Sequence, residues 1–99
     1  VGELAWPMPL LPAFEKEMTD SKIADTRNLG AGRYGGANTA AAFLKQFVPN
    51  RGEGEDAEQI TWAHMDIAGT YWGAKTNKMV GYGATGIHVR TMVRLITGE

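Results

Sequence analysis

The stretch TWAHMDIAGTYW, residues 61–72, decides how this 99-residue chain is interpreted. We predict a β-strand over residues 60–67, because β-branched, apolar and polar side chains alternate there. Successive side chains of a strand point to opposite faces, so Ala63, Met65 and Ile67 share one face and the other carries His64 and Asp66. An imidazole and a carboxylate at this spacing fit a metal site, half of a catalytic triad, or a structural hydrogen-bonded pair.

Three helices are predicted around this strand. Pro12 suits the first turn of a short helix, and a second, amphipathic helix has Asn38 or Thr39 in place to cap its start. A third helix is expected to begin near Thr85 and to stop at Gly98, because apolar residues recur at helical spacing between them. Helices that alternate with strands favour an α/β layered fold over a helical bundle.

Composition excludes several classes of function. Ten basic and eleven acidic residues give a formal net charge of -1, so there is no basic field for nucleic acid and no polybasic membrane patch. The absence of cysteine removes disulfides, thiolate nucleophiles and cysteine-based zinc sites. No apolar run is long enough to cross a membrane, and no signal segment is recognisable at the amino terminus. We therefore expect a soluble, cytoplasmic protein with no nucleic-acid or membrane partner.

A glycine-rich turn contains a literal G-x-G-x-x-G, formed by Gly30, Gly32 and Gly35. It follows a possible strand over residues 22–30 and precedes a helix, as in loops that hold a pyrophosphate. Acidic residues of the loop 49–59 stand about 20 positions further on, the usual spacing of a ribose-binding acid. The candidate strand carries four polar or charged residues, however, where a dinucleotide site has a nearly continuous apolar strand. A steric role for the glycines is therefore favoured over dinucleotide binding.

A metal site at His64 and Asp66 is incomplete on its own. Zinc needs three or four protein ligands, and Asp25 and His88 are the further candidates by residue type. No H-E-x-x-H, paired-histidine or G-x-S-x-G motif occurs in the sequence. A hydrogen-bonded pair with a structural role is therefore the favoured interpretation of these two residues.

Five stretches together resemble the leucyl aminopeptidases, the two-metal cytosolic exopeptidase family, and they occur in that family's order. They are WPMPL (6–10), SKIADTRNLG (21–30), GGANTAAAFLKQFV (35–48), WAHMDIAGTYW (62–72) and GATGIHVRTMVRLI (83–96). The resemblance spans nearly the whole chain. The combination of TAAAFL, WAH-x-DIAG and GATG is far more specific than any one of the three.

The resemblance implies a fold and a mechanism for a parent enzyme. Residues 1–99 would be the C-terminal segment of a single catalytic domain, part of a three-layer α/β/α sandwich with a mixed sheet. In the family, two divalent metal ions, zinc or manganese, activate the water that attacks the scissile carbonyl. The metal ligands and the catalytic lysine and arginine lie upstream, around an NTDAEGR signature that this sequence lacks. No catalytic residue or metal ligand is thus expected here, and a C-terminal fragment of this kind would be inactive.

Two substrate-binding positions are implied by the same resemblance. The residues just after the predicted strand line the pocket for the peptide's N-terminal side chain, which places Ala68 and Tyr71 against the substrate. Ala68 agrees with the family pattern, whereas Tyr71 is bulkier than the small or flexible residue usual there, which leaves the preferred side chain open. His64 and Asp66 match family positions that are not metal ligands. The acidic loop 49–59 is longer than the family's usual link and is interpreted as a surface insertion.

Three hypotheses follow. The first is a fragment of a metal-dependent aminopeptidase, whose parent would act on peptide substrates and form a homo-oligomer, a hexamer in the family. The second is a stand-alone structural or binding module of α/β class without catalysis. The third, dinucleotide binding at the glycine turn, is the weakest. An NTDAEGR signature in frame upstream of Val1 would favour the first. For the isolated chain we expect self-association, because a sheet without its neighbouring strands exposes an edge and an apolar face.

Overall fold

A computed structural model describes residues 2–73 and 81–99, and these residues form three α-helices and two short antiparallel ladders. The helices are α1 (Pro12–Thr19), α2 (Gly36–Lys45) and α3 (Val89–Thr97). The strands are β1 (Asn50–Arg51), β2 (Glu58–Gln59), β3 (Trp72–Gly73) and β4 (Gly83–Ala84). The chain divides into two compact units, residues 7–64 and residues 65–99 together with 1–6. The presence of both helices and β-ladders confirms the α/β class.

The first unit is built on the packing of α1 against α2. Met18 of α1 and Ala42 of α2 are the buried apolar side chains among the described residues, with exposed fractions of 1% and 0%. The Nζ atom of Lys45 lies 2.5 Å from Oε1 of Glu15, which joins the two helices by an ion pair. The helix predicted to start at Pro12 is confirmed. Proline is tolerated in a first turn because the N–H group that it lacks would have no partner within the helix there.

The second helix starts earlier than its predicted caps. Gly35 precedes it with φ of 71°, a left-handed conformation that glycine adopts readily, and α2 begins at Gly36. Asn38 and Thr39 therefore lie inside the helix, and the prediction that one of them caps it is wrong. The Thr39 hydroxyl donates to the Gly35 carbonyl at 3.3 Å, and Nδ2 of buried Asn38 donates to the Pro9 carbonyl at 2.5 Å.

Neither predicted strand is formed. Residues 22–30 are bends and irregular backbone, and no strand is assigned over 60–67. A strand requires a neighbouring backbone to bond its N–H and C=O groups, and alternation alone does not supply one. In the loop 49–59, β1 pairs instead with β2 as a hairpin, with Asn50 opposite Gln59 and a single 3-10 turn at Gly54–Asp56. The acidic loop 49–59, interpreted from the sequence as a surface insertion, thus contains a short hairpin with exposed strands.

The second unit contains the ladder between β3 and β4. Trp72 lies opposite Ala84, and Gly73 lies opposite Gly83. The rings of Trp72 and Tyr82 meet edge to face, with centroids 5.7 Å apart and planes at 82°. The ladder and this aromatic pair hold β3 and β4 together as a second hairpin, the β3–β4 hairpin.

Helix α3 begins at Val89, four positions after the predicted start near Thr85. His88 precedes it with φ of 65°, a left-handed conformation that is unusual for a residue with a side chain. The predicted stop is confirmed, because Gly98 has φ of 74° and its N–H donates to the Arg94 carbonyl at 2.9 Å. Within the described part of the chain, no helix has the length and apolarity needed to span a membrane.

Candidate functional site

The two predicted pocket residues lie on one tight turn that follows residues 61–66. The Ile67 carbonyl accepts hydrogen bonds from the N–H groups of Thr70 and Tyr71, both at 2.9 Å. Just before this turn, Oδ1 of Asp66 accepts a hydrogen bond from the N–H of Ala68 at 2.8 Å. The carboxylate that the sequence offered as a metal ligand is therefore used to fix the backbone of the turn.

Thr85 attaches this turn to the opposite side of the β3–β4 hairpin. Its N–H donates to the Tyr71 carbonyl at 2.8 Å, and its hydroxyl donates to the Thr70 carbonyl at 2.7 Å. The same hydroxyl accepts the N–H of Ile87 at 3.3 Å. From the sequence, Thr85 was expected only near the start of the third helix, and its bonds to this turn were not predicted. The available signal was its place in the GATG stretch.

Ala68 and Tyr71 are both exposed, and 53% of the Tyr71 surface is accessible. The turn thus fixes the backbone of each residue while leaving the side chain accessible. Such an arrangement suits contact with a ligand, because the main chain is held by hydrogen bonds and the side chains remain free to be covered.

A second cluster of polar side chains lies at the start of α3. Oε2 of Glu3 accepts hydrogen bonds from the N–H of Thr91 at 3.0 Å and from its hydroxyl at 2.6 Å. Nε of Arg90 lies 3.6 Å from Oε1 of Glu3, and Nδ1 of His88 lies 4.0 Å from Oε2. The Thr91 hydroxyl bond is the main reason that the pKa of Glu3 lies below its ordinary value. A carboxylate at this end of a helix also compensates the positive end of its dipole.

Each candidate metal ligand has a local environment of its own. The His64 ring stacks on the ring of Trp62, with centroids 6.1 Å apart and planes at 24°. Asp66 bonds the backbone of its own turn, His88 lies buried beside α3, and Asp25 is exposed. Across residues 2–73 and 81–99, no three His, Asp or Glu side chains form a group that would hold a metal ion.

The glycine turn is occupied by a carboxylate of the protein. Oε1 of Glu17 accepts the N–H of Ala31, and it lies 3.0 Å from where a Cβ on Gly30 would be. A pyrophosphate would compete with this carboxylate for the same donor and would be repelled by it. Because residues 22–30 also form no strand, the geometry argues against the dinucleotide hypothesis. The glycine at position 30 is needed for the close approach of Glu17 and Thr39.

Comparison with known proteins identifies the class of this α/β chain. The family model described as "Cytosol aminopeptidase family, catalytic domain" matches residues 1–93. The chain therefore belongs to the cytosol aminopeptidase family. The leucyl aminopeptidase resemblance drawn from the five sequence stretches is thereby confirmed.

Curated relatives give the same result. The chain is 46% identical to a protein named "Probable cytosol aminopeptidase" from Micrococcus luteus, over 99% of this chain and 19% of the relative. Proteins of the same name from Brucella anthropi and Microcystis aeruginosa are 47% and 45% identical, over 96% of this chain and 17% of each relative. The chain thus spans about a fifth of the length of the relatives it matches. No solved structure matches the chain.

Proposed function

We propose that residues 1–99 form the C-terminal segment of a single aminopeptidase catalytic domain and supply one wall of its substrate pocket. The parent enzyme releases N-terminal amino acids from peptides, with Ala68 and Tyr71 against the first side chain of the substrate. The observation that supports this most directly is the turn at residues 67–71, whose backbone is fixed by five hydrogen bonds while the side chains of Ala68 and Tyr71 are exposed. Family membership over residues 1–93 supports the activity.

The same proposal covers the rest of the enzyme. Its catalytic domain is a three-layer α/β/α sandwich with a mixed sheet, to which residues 1–99 contribute the C-terminal segment. Residues outside this chain would hold two divalent metal ions, zinc or manganese, which would supply the activation of the attacking water. The parent is cytoplasmic and assembles as a homo-oligomer, a hexamer in this family.

Within this pocket wall, Tyr71 sets the depth available to the substrate. A tyrosine ring occupies more of a pocket than the small or flexible residue usual at this family position, and its hydroxyl needs a polar partner when buried. Ala68 contributes only a methyl group. The proposed pocket therefore favours shorter N-terminal side chains than a pocket with a small residue at position 71.

A chimeric enzyme tests the proposal. The matched region of the Micrococcus luteus relative is replaced by residues 1–99, and hydrolysis of a leucine chromogenic amide is measured with manganese or zinc and with a chelator. We expect chelator-sensitive turnover by the chimera, and none by the isolated chain or by the relative with the matched region deleted. A chimera with Tyr71→Ala should accept larger N-terminal side chains. Tyr34 is an exposed tyrosine of the other unit, and Tyr34→Ala should leave the preference unchanged.

Two results would contradict the proposal. Chelator-sensitive turnover by the isolated chain would mean that its own histidines and carboxylates form a metal site. A folded, metal-loaded chimera without activity would favour the stand-alone structural or binding module instead.

A further inference from the structure

We infer that Thr85 is a positioning residue for the proposed pocket, one that holds Tyr71 at the angle from which it meets the substrate. The inference rests on the proposed function. Thr85 itself contacts only the backbone behind the turn, through the hydrogen bonds described above. Its effect on substrate is therefore indirect and passes through residues 70 and 71.

The bonds to Thr85 constrain both peptide groups that flank Tyr71. The Thr70 carbonyl precedes the Tyr71 nitrogen, and the Thr85 hydroxyl holds this carbonyl at 2.7 Å. The Tyr71 carbonyl follows, and the Thr85 N–H holds it at 2.8 Å. With the Tyr71 N–H already bonded to Ile67, rotation about both backbone torsions of Tyr71 is restricted. The direction of its Cα–Cβ bond is fixed as a result.

The Thr85 hydroxyl also joins the turn to the segment that enters α3. It donates to Thr70 and accepts from the Ile87 N–H, so both its donor and an acceptor site are used. Ile87 is followed by buried His88 and then by the first turn of α3, which Glu3 holds through Thr91. The orientation of the Tyr71 turn is thus coupled to a helix start that is itself anchored.

Threonine is suited to this position for two reasons. The hydroxyl is needed because one atom must both donate and accept, and valine, of nearly the same shape, has no such atom. Branching at Cβ restricts χ1, so the hydroxyl is held in place at little further entropic cost. Serine keeps the hydroxyl and loses only the restriction. Valine and serine therefore separate the hydrogen bonds from the shape of the side chain.

The first test uses the 99-residue chain itself. Amide hydrogen exchange and the Tyr71 resonances are compared in Thr85→Val, Thr85→Ser and Thr97→Val, the last a threonine of α3 whose hydroxyl lies near the Glu99 N–H at 3.5 Å. In Thr85→Val we expect the Ile87 amide to exchange roughly tenfold faster, the scale of one lost hydrogen bond, and the Tyr71 resonances to shift. The serine and Thr97 variants should match the parent. No change in the valine variant would overturn the inference.

The second test uses the chimeric enzyme and separates binding from chemistry. For Thr85→Val we expect KM for leucine and phenylalanine amides to rise roughly tenfold while kcat changes less than about twofold, with Thr85→Ser restoring the parent values. A loss of kcat at constant KM, or an equal loss in both variants, would overturn a positioning role. A folded, metal-loaded chimera that is inactive before any substitution would overturn the proposed function and this inference with it. An active chimera that is indifferent to Thr85→Val would overturn the inference alone.

Discussion

Among the described residues, Glu3 is the one whose ionisation the surrounding structure perturbs most clearly. Its pKa lies below the ordinary value of 4.5, first because of the Thr91 hydroxyl bond, with Arg90 adding attraction and burial opposing. A carboxyl whose pKa is lower in the folded state stabilises the fold above the unfolded pKa, and this contribution is lost as the pH falls through the folded value. The start of α3 should therefore open on acidification.

We expect protection of the Thr91 amide to be constant near neutral pH and to fall as the pH drops below 4.5, the ordinary pKa of a glutamate. In Glu3→Gln the protection should be lower at neutral pH and nearly independent of pH over that range. Glu58→Gln, on an exposed strand, should behave as the parent. Among the described residues, His88 and Arg90 are the basic side chains that lie within 4.0 Å of the Glu3 carboxylate. An acid-induced loss that is equally steep in Glu3→Gln would assign the transition to another group.

Individual functional residues could be predicted from the sequence only where a family pattern or a local spacing pointed to them. Ala68 and Tyr71 were proposed from the resemblance, and the structure places them on one turn. The bond between Glu3 and Thr91 joins residues 88 positions apart, so no local pattern predicts it. Thr85 was missed for a similar reason, because a threonine acquires its role only when the hairpin brings it to Thr70 and Tyr71.

Among the elements, the α1–α2 pair depends on one buried polar contact more than on its ion pair. The side chains of Lys45 and Glu15 are 29% and 33% exposed, and an ion pair with this exposure contributes between 0 and about 1 kcal/mol. Asn38 is only 7% exposed, and its amide satisfies the Pro9 carbonyl. Removing one partner of a buried hydrogen bond costs about 1 to 3 kcal/mol, because the other partner stays unsatisfied.

We therefore predict that Asn38→Ala lowers the free energy of unfolding of the first unit by roughly 1 to 2 kcal/mol, measured by urea denaturation or by amide exchange in α2. Asn28→Ala removes the same group from an exposed position and should change it by less than about 0.5 kcal/mol. Equal effects of the two substitutions would show that the bond to Pro9 adds nothing to stability.

The elements that were predicted correctly are those with local causes. Helices α1 and α2 follow from a proline at the first turn and a periodic apolar stripe, and α3 ends at Gly98 because a left-handed residue stops it. The strands at 22–30 and 60–67 were wrong for the opposite reason. A strand is defined by its partner, and alternation of side chains states which face is apolar without stating what pairs with the backbone.

For the whole molecule, the decisive quantity is the apolar surface left accessible. Two apolar residues are buried among the described ones, whereas many large apolar side chains are exposed, including Ile23 at 97% and Ile96 at 85%. The small core formed by residues 2–73 and 81–99 supplies little hydrophobic stabilisation. In the proposed enzyme, the remaining part of the catalytic domain covers these side chains.

We expect the isolated chain to self-associate, with a sedimentation coefficient that rises with concentration. Ile96→Glu places a charge on an exposed apolar position of α3 and should reduce association. Thr97→Glu adds the same charge at the next position of the same helix and should reduce it less. A parent chain that remains monomeric at high concentration would contradict this prediction.

The edge-to-face contact of Trp72 and Tyr82 gives the proposed pocket an optical signal of its own. The two rings stand on opposite sides of the hairpin whose next residues are Tyr71 and Thr85, and their centroids are 5.7 Å apart. Aromatic chromophores held at a fixed angle and short distance produce a circular dichroism band in the near ultraviolet, which vanishes when the rings rotate freely. When Trp6 and Trp62 are replaced by phenylalanine, Trp72 is the remaining tryptophan, and it directly follows the turn at residues 67–71. Binding of a ligand in the proposed pocket should then change this band without any attached label.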